Sequence, residues 1–147
     1  MKKMIFVCAF LLTSCAMTPP EPPVDPSVTI RAPKEDVVAA LIADMAAQGY
    51  PLVQSSDHLL MFGRRDDSVM AMAIYGSRYD RVPESRVSYS VAGGPDGLVI
   101  VRGSAAMITN PGSGFERHHD VTGNASRWMH DTLARVKVAT NGLAVKK

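Results

Sequence analysis

The sequence is poor in cysteine, in aromatic residues and in excess charge of either sign. Its 147 residues include two cysteines, 6% aromatic residues and a formal net charge of +2. Two cysteines exclude a disulfide-rich scaffold and a four-cysteine zinc module. Basic and acidic residues nearly balance, which argues against a nucleic-acid-binding domain, because such a domain has a clustered excess of Lys and Arg. With 46% hydrophobic residues, the chain is long and apolar enough for one folded domain.

A short basic start and one apolar run occupy the N-terminus. Lys2 and Lys3 precede residues 4–12, which are nine apolar residues in a row. A helix that spans a bilayer needs about 20 such residues, so this run is too short to span one. Its length and basic flank predict a secretory signal peptide over residues 1–14.

The four residues Leu12-Thr13-Ser14-Cys15 follow this run directly. They resemble the lipobox of bacterial lipoproteins. That resemblance implies cleavage before Cys15 and acylation of its thiol, which would anchor the protein in a membrane. The alternative is an ordinary signal peptide with an incidental cysteine. Cys8 would be removed with the signal, so the mature chain would keep no free thiol for catalysis or disulfide formation.

Cleavage also changes the charge and the expected destination of the protein. Without Lys2 and Lys3, 14 basic side chains balance 14 acidic ones, so electrostatics give no reason to bind nucleic acid. Residue 16 is Ala rather than Asp. In the Gram-negative lipoproteins that this N-terminus resembles, that choice implies sorting to the outer membrane, with the protein on its periplasmic side.

Residues 15–27 are predicted to be a tether between the lipid and the domain. Half of the ten prolines of the chain lie between Pro19 and Pro26. Because proline fixes φ and lacks an N–H, this stretch should stay extended and outside sheets and helices. At about 3.1 Å per residue it would reach about 35–40 Å. The alternative is a proline-rich ligand for a partner. The domain should then cover residues 28–140, with a flexible tail over 141–147.

Hydrophobic periodicity predicts two helices and a series of strands. The helices are expected over residues 33–48, where an apolar stripe repeats every 3.6 residues, and over 124–138. Residues 69–75 are continuously apolar and are interpreted as a central strand covered on both faces. Met70 and Met72 in this strand, like Met45 and Met129 in the helices, should fill the core. The predicted strands cover residues 28–32, 52–54, 59–64, 69–75, 86–91 and 98–109.

The order β-α-β-β-β-β-β-α predicts an α+β fold with an antiparallel meander of five or six strands and two helices on one face. This layout is similar to the helix-grip arrangement and to a lipoprotein of the outer-membrane β-barrel assembly complex. The lipobox, a helix that ends in QGY (48–50) and a late NPGSGFER segment (110–117) also resemble short bacterial envelope lipoproteins. Those proteins have no assigned activity, so the resemblance implies no functional residue beyond Cys15.

Few residues suggest catalysis. His118, His119 and His130 are potential metal ligands, but adjacent histidines point apart in a strand and no HExxH motif is present. Ser113 lies in a GSG sequence that lacks the GxSxG spacing of a nucleophile elbow. A hydrolase would need one of these histidines beside Ser113. We therefore predict no enzymatic activity, no metal site and no cofactor.

The longest predicted loops, residues 76–84 and 110–122, exceed the two to five residues usual in hairpins. Alternating turns should gather them with residues 55–58 at one end of the sheet, opposite residues 65–68 and 92–97. The first strand should enter from the end opposite the long loops. We interpret the loops as a docking surface for another envelope protein, although they could simply be mobile. The candidate docking residues are Arg78, Tyr79, Arg81, Phe115, Arg117, His118 and His119, which include residue types enriched at interfaces.

The leading hypothesis is a lipid-anchored, non-enzymatic interaction or accessory module of the cell envelope. The alternative is a carrier of small apolar ligands with a helix-grip cavity. In that case the Ala71/Ala73 face or the Met70/Met72/Ile74 face would line the cavity, which should measure several hundred Å³. The sequence identifies neither the partner, the ligand nor the oligomeric state.

Overall fold

The computed structural model describes residues 25–144, which form six strands and three α-helices. In chain order these elements are β1 (Ser27–Arg31), α1 (Lys34–Ala47), β2 (Leu52–Ser55), β3 (Leu59–Arg65), α2 (Val69–Tyr75), β4 (Glu84–Gly93), β5 (Leu98–Thr109), β6 (Arg117–Asp120) and α3 (Thr122–Ala144). The predicted signal peptide, Cys15 and residues 16–24 of the predicted tether lie outside the described residues, as do residues 145–147. Helix α3 continues past position 140, where the tail was predicted to begin.

The six strands form one antiparallel sheet. Its order is β1-β5-β4-β3-β2. Strand β6 pairs with the C-terminal part of β5, on the same edge as β1. Strands β2 to β5 make a meander, since each pairs with the next strand of the chain. The α+β class and the antiparallel sheet predicted from the sequence are therefore confirmed.

Helices α1 and α3 cover one face of this sheet. The period of 3.6 residues places Val37, Leu41 and Met45 on one stripe of α1, and all three are fully buried. The alternating residues of β3 and β4 meet them from the sheet. Phe62 and Tyr89 are the two largest fully buried side chains, and they fill the space between the layers. The predicted placement of two helices on one face is also confirmed.

Gly49 ends α1 and directs the chain back towards the sheet. Its φ of +79° is a left-handed conformation that glycine adopts readily. The backbone N–H of Tyr50 donates to the Met45 carbonyl at 2.9 Å, which closes the last turn. The chain therefore leaves the helix with Tyr50 next to the sheet, where its hydroxyl lies 3.1 Å from Ser85 Oγ.

The prediction of a central strand over residues 69–75 is wrong, because these residues form α2. Ser68 caps the helix, since its hydroxyl accepts from the N–H of Ala71 at 3.2 Å. β3 pairs directly with β4, which leaves no place for a strand between them. Ala71 is buried, whereas Met70 is 71% exposed and cannot fill the core as predicted. A short apolar run does not distinguish a strand from a helix by periodicity.

The first strand does not enter from the end of the sheet opposite the long loops. Ser27 pairs with Arg102 near the middle of β5, and the strand runs away from the loop end to Arg31, opposite Leu98. The expectation that residues 15–27 stay outside sheets is wrong at its end, because Ser27 begins β1 and the Gly103 N–H donates to the Pro26 carbonyl at 2.8 Å. Pro26 can do this because it needs only its carbonyl.

Because residues 69–75 form α2 rather than a strand, the short turns at 55–58 and 65–68 each lie at the end of the sheet opposite to the one predicted. Residues 55–58 lie with residues 92–97, as the hydrogen bond of 2.9 Å from the Val91 N–H to the His58 carbonyl shows. Residues 65–68 lie at the opposite end. Residues 76–83 and 110–116 remain together there, because both connections follow strands that run in the same direction. The predicted loop over 110–122 is shorter than expected, since β6 occupies its second half.

Candidate functional site

The two long connections at one end of the sheet are joined to each other. We call residues 76–83 and 110–116 the loop surface. The Ser77 hydroxyl donates to Asn110 Oδ1, and Asn110 itself is buried. At the base of the loops, Thr109 Oγ1 donates to the Tyr75 carbonyl at 2.8 Å. These bonds connect the end of α2 to the end of β5, so the two loops are held against the same scaffold.

Two aromatic side chains stack across the loop surface. The rings of Tyr79 and Phe115 lie 5.8 Å apart at an interplanar angle of 10°. The guanidinium of Arg78 lies 4.6 Å from the centre of the Tyr79 ring, and it also donates to the Tyr79 hydroxyl. Tyr79 is 65% exposed and Phe115 69% exposed. The result is an ordered layer of one cation and two aromatic rings that faces solvent.

The loop surface carries unpaired positive charge. Its own carboxylates are engaged by arginines of the sheet, since Asp80 pairs with Arg65 at 2.8 Å. Glu116 pairs with Arg86 at 3.1 Å. Within residues 25–144, no carboxylate forms an ion pair with the three arginines among the docking candidates, Arg78, Arg81 and Arg117, all of which are exposed.

Arg86 holds the second loop to the sheet. Its Nε lies 2.8 Å from Glu84 and its Nη1 3.1 Å from Glu116. Burial alone would lower the pKa of Arg86, but these two carboxylates raise it. The backbone N–H of Gly112, with further help from His118 and Arg86, holds the pKa of Glu116 below its ordinary value of 4.5. Glu116 thus links the tip of the loop, at Gly112, to the sheet.

Acidification is expected to weaken the fold through Glu116. Because its folded-state pKa lies below the ordinary value of 4.5, the ionised carboxylate stabilises the protein above that pH. This contribution is lost as the pH falls through the folded-state pKa. Urea unfolding from about pH 7 to about pH 3 should show a difference between the protein and Glu116→Gln that shrinks on acidification. A difference that stays constant over this range would contradict the role of the ionised carboxylate.

The structure places Arg117, His118 and His119 on β6 rather than in a loop. His118 Nε2 lies 2.8 Å from Glu116 Oε1. His119 Nε2 lies 3.1 Å from Thr109 Oγ1, and its ring is 5.4 Å from that of Tyr75. Over residues 25–144, no three His, Cys, Asp or Glu side chains are arranged to hold a metal ion. Both histidines therefore brace the base of the loop surface.

Ser113 contributes to the shape of the loop. Its hydroxyl donates to the Asn110 carbonyl at 2.8 Å and accepts from the Phe115 N–H at 3.1 Å. The partners of the hydroxyl are thus backbone groups of its own turn. They fix the backbone directly before Phe115 and so help to position its ring against Tyr79.

Large buried side chains occupy the space between the helices and the sheet. Phe62, Tyr89, Leu41 and Met129 fill it, and burial raises the pKa of the Tyr89 hydroxyl. Residues 69–75 lie in α2 rather than in the sheet, so the faces proposed to line a carrier cavity are not there. A smaller cleft remains beside Tyr50, where α1 ends and α3 begins. No periodic pattern of residues indicated it.

The uncovered face of the sheet is mostly polar. The side chains Ser88, Ser104 and Arg86 lie on it, and a shallow depression of about 340 Å³ forms beside Met61 and His118. None of the helices within residues 25–144 is both long and apolar enough to cross a bilayer. No protein-family model matches this sequence, and no curated protein matches it significantly.

Proposed function

We propose that this protein is a lipid-anchored component of the cell envelope that acts as a non-enzymatic interaction module. In a Gram-negative host, acylated Cys15 would hold it on the periplasmic side of the outer membrane. The loop surface would bind another envelope protein. The N-terminal pattern supports the anchor, and the geometry of the loop surface supports the binding role.

The observation that carries the binding role is the exposed stack of Arg78, Tyr79 and Phe115. Arginine and tyrosine are enriched among the residues that dominate binding energy at interfaces. Aromatic residues and arginine are also enriched at the cores of interfaces relative to the rest of the protein surface. The hydrogen bond between Ser77 and Asn110 orders both loops in advance, which lowers the entropic cost of binding.

The charge pattern specifies the chemistry of the partner. Arg78, Arg81 and Arg117 are exposed and have no carboxylate partner within the described residues. A partner that presents acidic side chains around an apolar contact would complement them. An apolar-ligand carrier, the alternative expected from the sequence, would need room in the space that Phe62 and Tyr89 occupy.

Photo-crosslinking in intact cells tests this proposal. A benzoylphenylalanine at Gly114, where an added Cβ meets no atom within 4 Å, should give an adduct with a distinct envelope protein. The same probe at the exposed Ala92, at the other end of the sheet, should not give it. The additional change Phe115→Ala or Arg78→Gln should reduce the adduct about tenfold or more, as expected for a loss of about 1.4 kcal/mol or more.

The anchor is read out in the same cells. Cys15→Ala should move the chain from the membrane fraction to the soluble fraction and abolish incorporation of labelled palmitate. Equal adducts from Gly114 and Ala92, or an adduct that persists with Phe115→Ala, would refute the docking role. Labelled palmitate missing from the unchanged chain would refute the anchor independently.

A further inference from the structure

A cleft opens on the helix-covered side of the sheet, where α1 ends and α3 begins. Its volume is about 270 Å³. Its lining combines buried or half-buried apolar side chains, which we call its floor, with two aromatic rings and an arginine, which we call its rim. The floor includes Val87, Ala105 and Ala125, and the rim consists of Tyr50, Trp128 and Arg64.

The aromatic rim is fixed by hydrogen bonds. The rings of Tyr50 and Trp128 lie 5.5 Å apart at an angle of 43°. Trp128 Nε1 donates to Gln48 Oε1 at 2.7 Å, while the Tyr50 hydroxyl lies 3.1 Å from Ser85 Oγ. With both polar tips engaged, the rings offer their apolar surfaces to the cleft, in a geometry set before any ligand arrives.

Arg64 provides the one charge on this rim. Its guanidinium lies 4.5 Å from the centre of the Tyr50 ring. Within the described part of the chain, it forms no ion pair and no hydrogen bond to a side-chain acceptor. The next residue, Arg65, points to the opposite face of the strand and pairs with Asp80 at 2.8 Å. Arg64 therefore keeps a planar fork of donors that suits a carboxylate.

We propose that this cleft binds a small ligand that carries a carboxylate on a compact apolar body. Arg64 would bind the carboxylate, and the rings of Tyr50 and Trp128 with the aliphatic floor would cover the apolar part. The volume corresponds to about nine water molecules in the liquid, which suits a short acid rather than a long lipid chain. The proposal does not rest on the docking role of the loop surface.

Titration with hexanoate tests the proposal, because Trp128 is the one tryptophan of the chain. Its indole N–H gives a single, unambiguous signal in a ¹H–¹⁵N NMR spectrum of the mature chain with Cys15→Ala. Hexanoate should shift this signal saturably. Acetate, which lacks the apolar body, and hexanol, which lacks the charge, should each bind at least about tenfold more weakly.

Two adjacent arginines provide matched variants. Arg64→Gln should weaken hexanoate binding by about tenfold or more, whereas Arg65→Gln should leave it unchanged because that side chain lies on the other face. The dispersion of the remaining amide signals shows whether each variant is folded. The proposal is overturned if hexanoate causes no saturable shift, if hexanol binds as well as hexanoate, or if folded Arg64→Gln binds hexanoate as tightly as the unchanged chain does.

Discussion

Phe62→Ala is expected to lower the free energy of unfolding by about 3–5 kcal/mol. Phe62 is fully buried between the sheet and the helices, and its ring meets that of Tyr89 edge to face at 6.3 Å and 70°. Truncation removes the apolar contact area and leaves a cavity that close-packed neighbours fill only in part. Urea unfolding of residues 15–147 with Cys15→Ala, measured at neutral pH, gives the change directly.

Phe115→Ala is the matched control, because it removes the same atoms from an exposed position. Phe115 is 69% exposed and loses mainly its stacking on Tyr79. Its substitution should lower the free energy of unfolding by about 1 kcal/mol or less, yet it should reduce the photo-adduct of the loop surface about tenfold or more. Equal losses of stability in the two variants would contradict the placement of Phe62 at the centre of the core.

The helices and strands with a clear period could be predicted from the sequence. The stripe of Val37, Leu41 and Met45 indicated α1, and the alternation of Val87, Tyr89 and Val91 indicated β4 and its buried face. In each case one face of the element packs against the core, so burial itself selects the pattern. Hairpin connectivity indicated the pairs β2–β3 and β4–β5, but the strand wrongly predicted at residues 69–75 separated β3 from β4 in the expected order.

The elements without such a pattern could not be predicted. The run at residues 69–75 has no polar positions, and Ser68, which caps it as a helix, is equally common in turns. Strand β6 has four exposed residues, so no side chain reports its pairing with β5. Hydrogen bonds to other parts of the fold determine the secondary structure of both segments, and these bonds leave no pattern in the local sequence.

Of the two candidate sites, one could be proposed from the sequence and the other could not. The loop surface could be proposed from loop length and from the Arg, Tyr and Phe content of the loops. The cleft could not, because Tyr50 follows α1, Arg64 lies in β3 and Trp128 in α3, and they meet only when α1 and α3 lie on the sheet. Each of these residues also has an ordinary structural interpretation when it is considered alone.

Gly76→Ala is expected to disrupt the loop surface more than any single exposed substitution. An added Cβ would lie 2.7 Å from the carbonyl oxygen of Arg81 and still closer to that of Met72. Both obstacles are backbone atoms, so no rotation of a side chain relieves the clash. The chain between α2 and Arg81 must move, which separates Ser77 from Asn110. We expect a loss of about 1–3 kcal/mol in the free energy of unfolding and no photo-adduct from Gly114.

Gly114→Ala is the control for this prediction, because it lies in the other loop and its added Cβ meets no atom within 4 Å. It should leave the free energy of unfolding in urea unchanged. Hydrogen exchange locates the damage of Gly76→Ala, since the Ser77 N–H, bonded to the Asp80 carbonyl at 2.8 Å, should lose protection while the Val87 N–H keeps it. Because α2 and its loop lie outside the helix-covered core, local damage without global unfolding is the outcome that the architecture requires. Full protection at Ser77 in the variant would contradict the close approach of the two backbone segments.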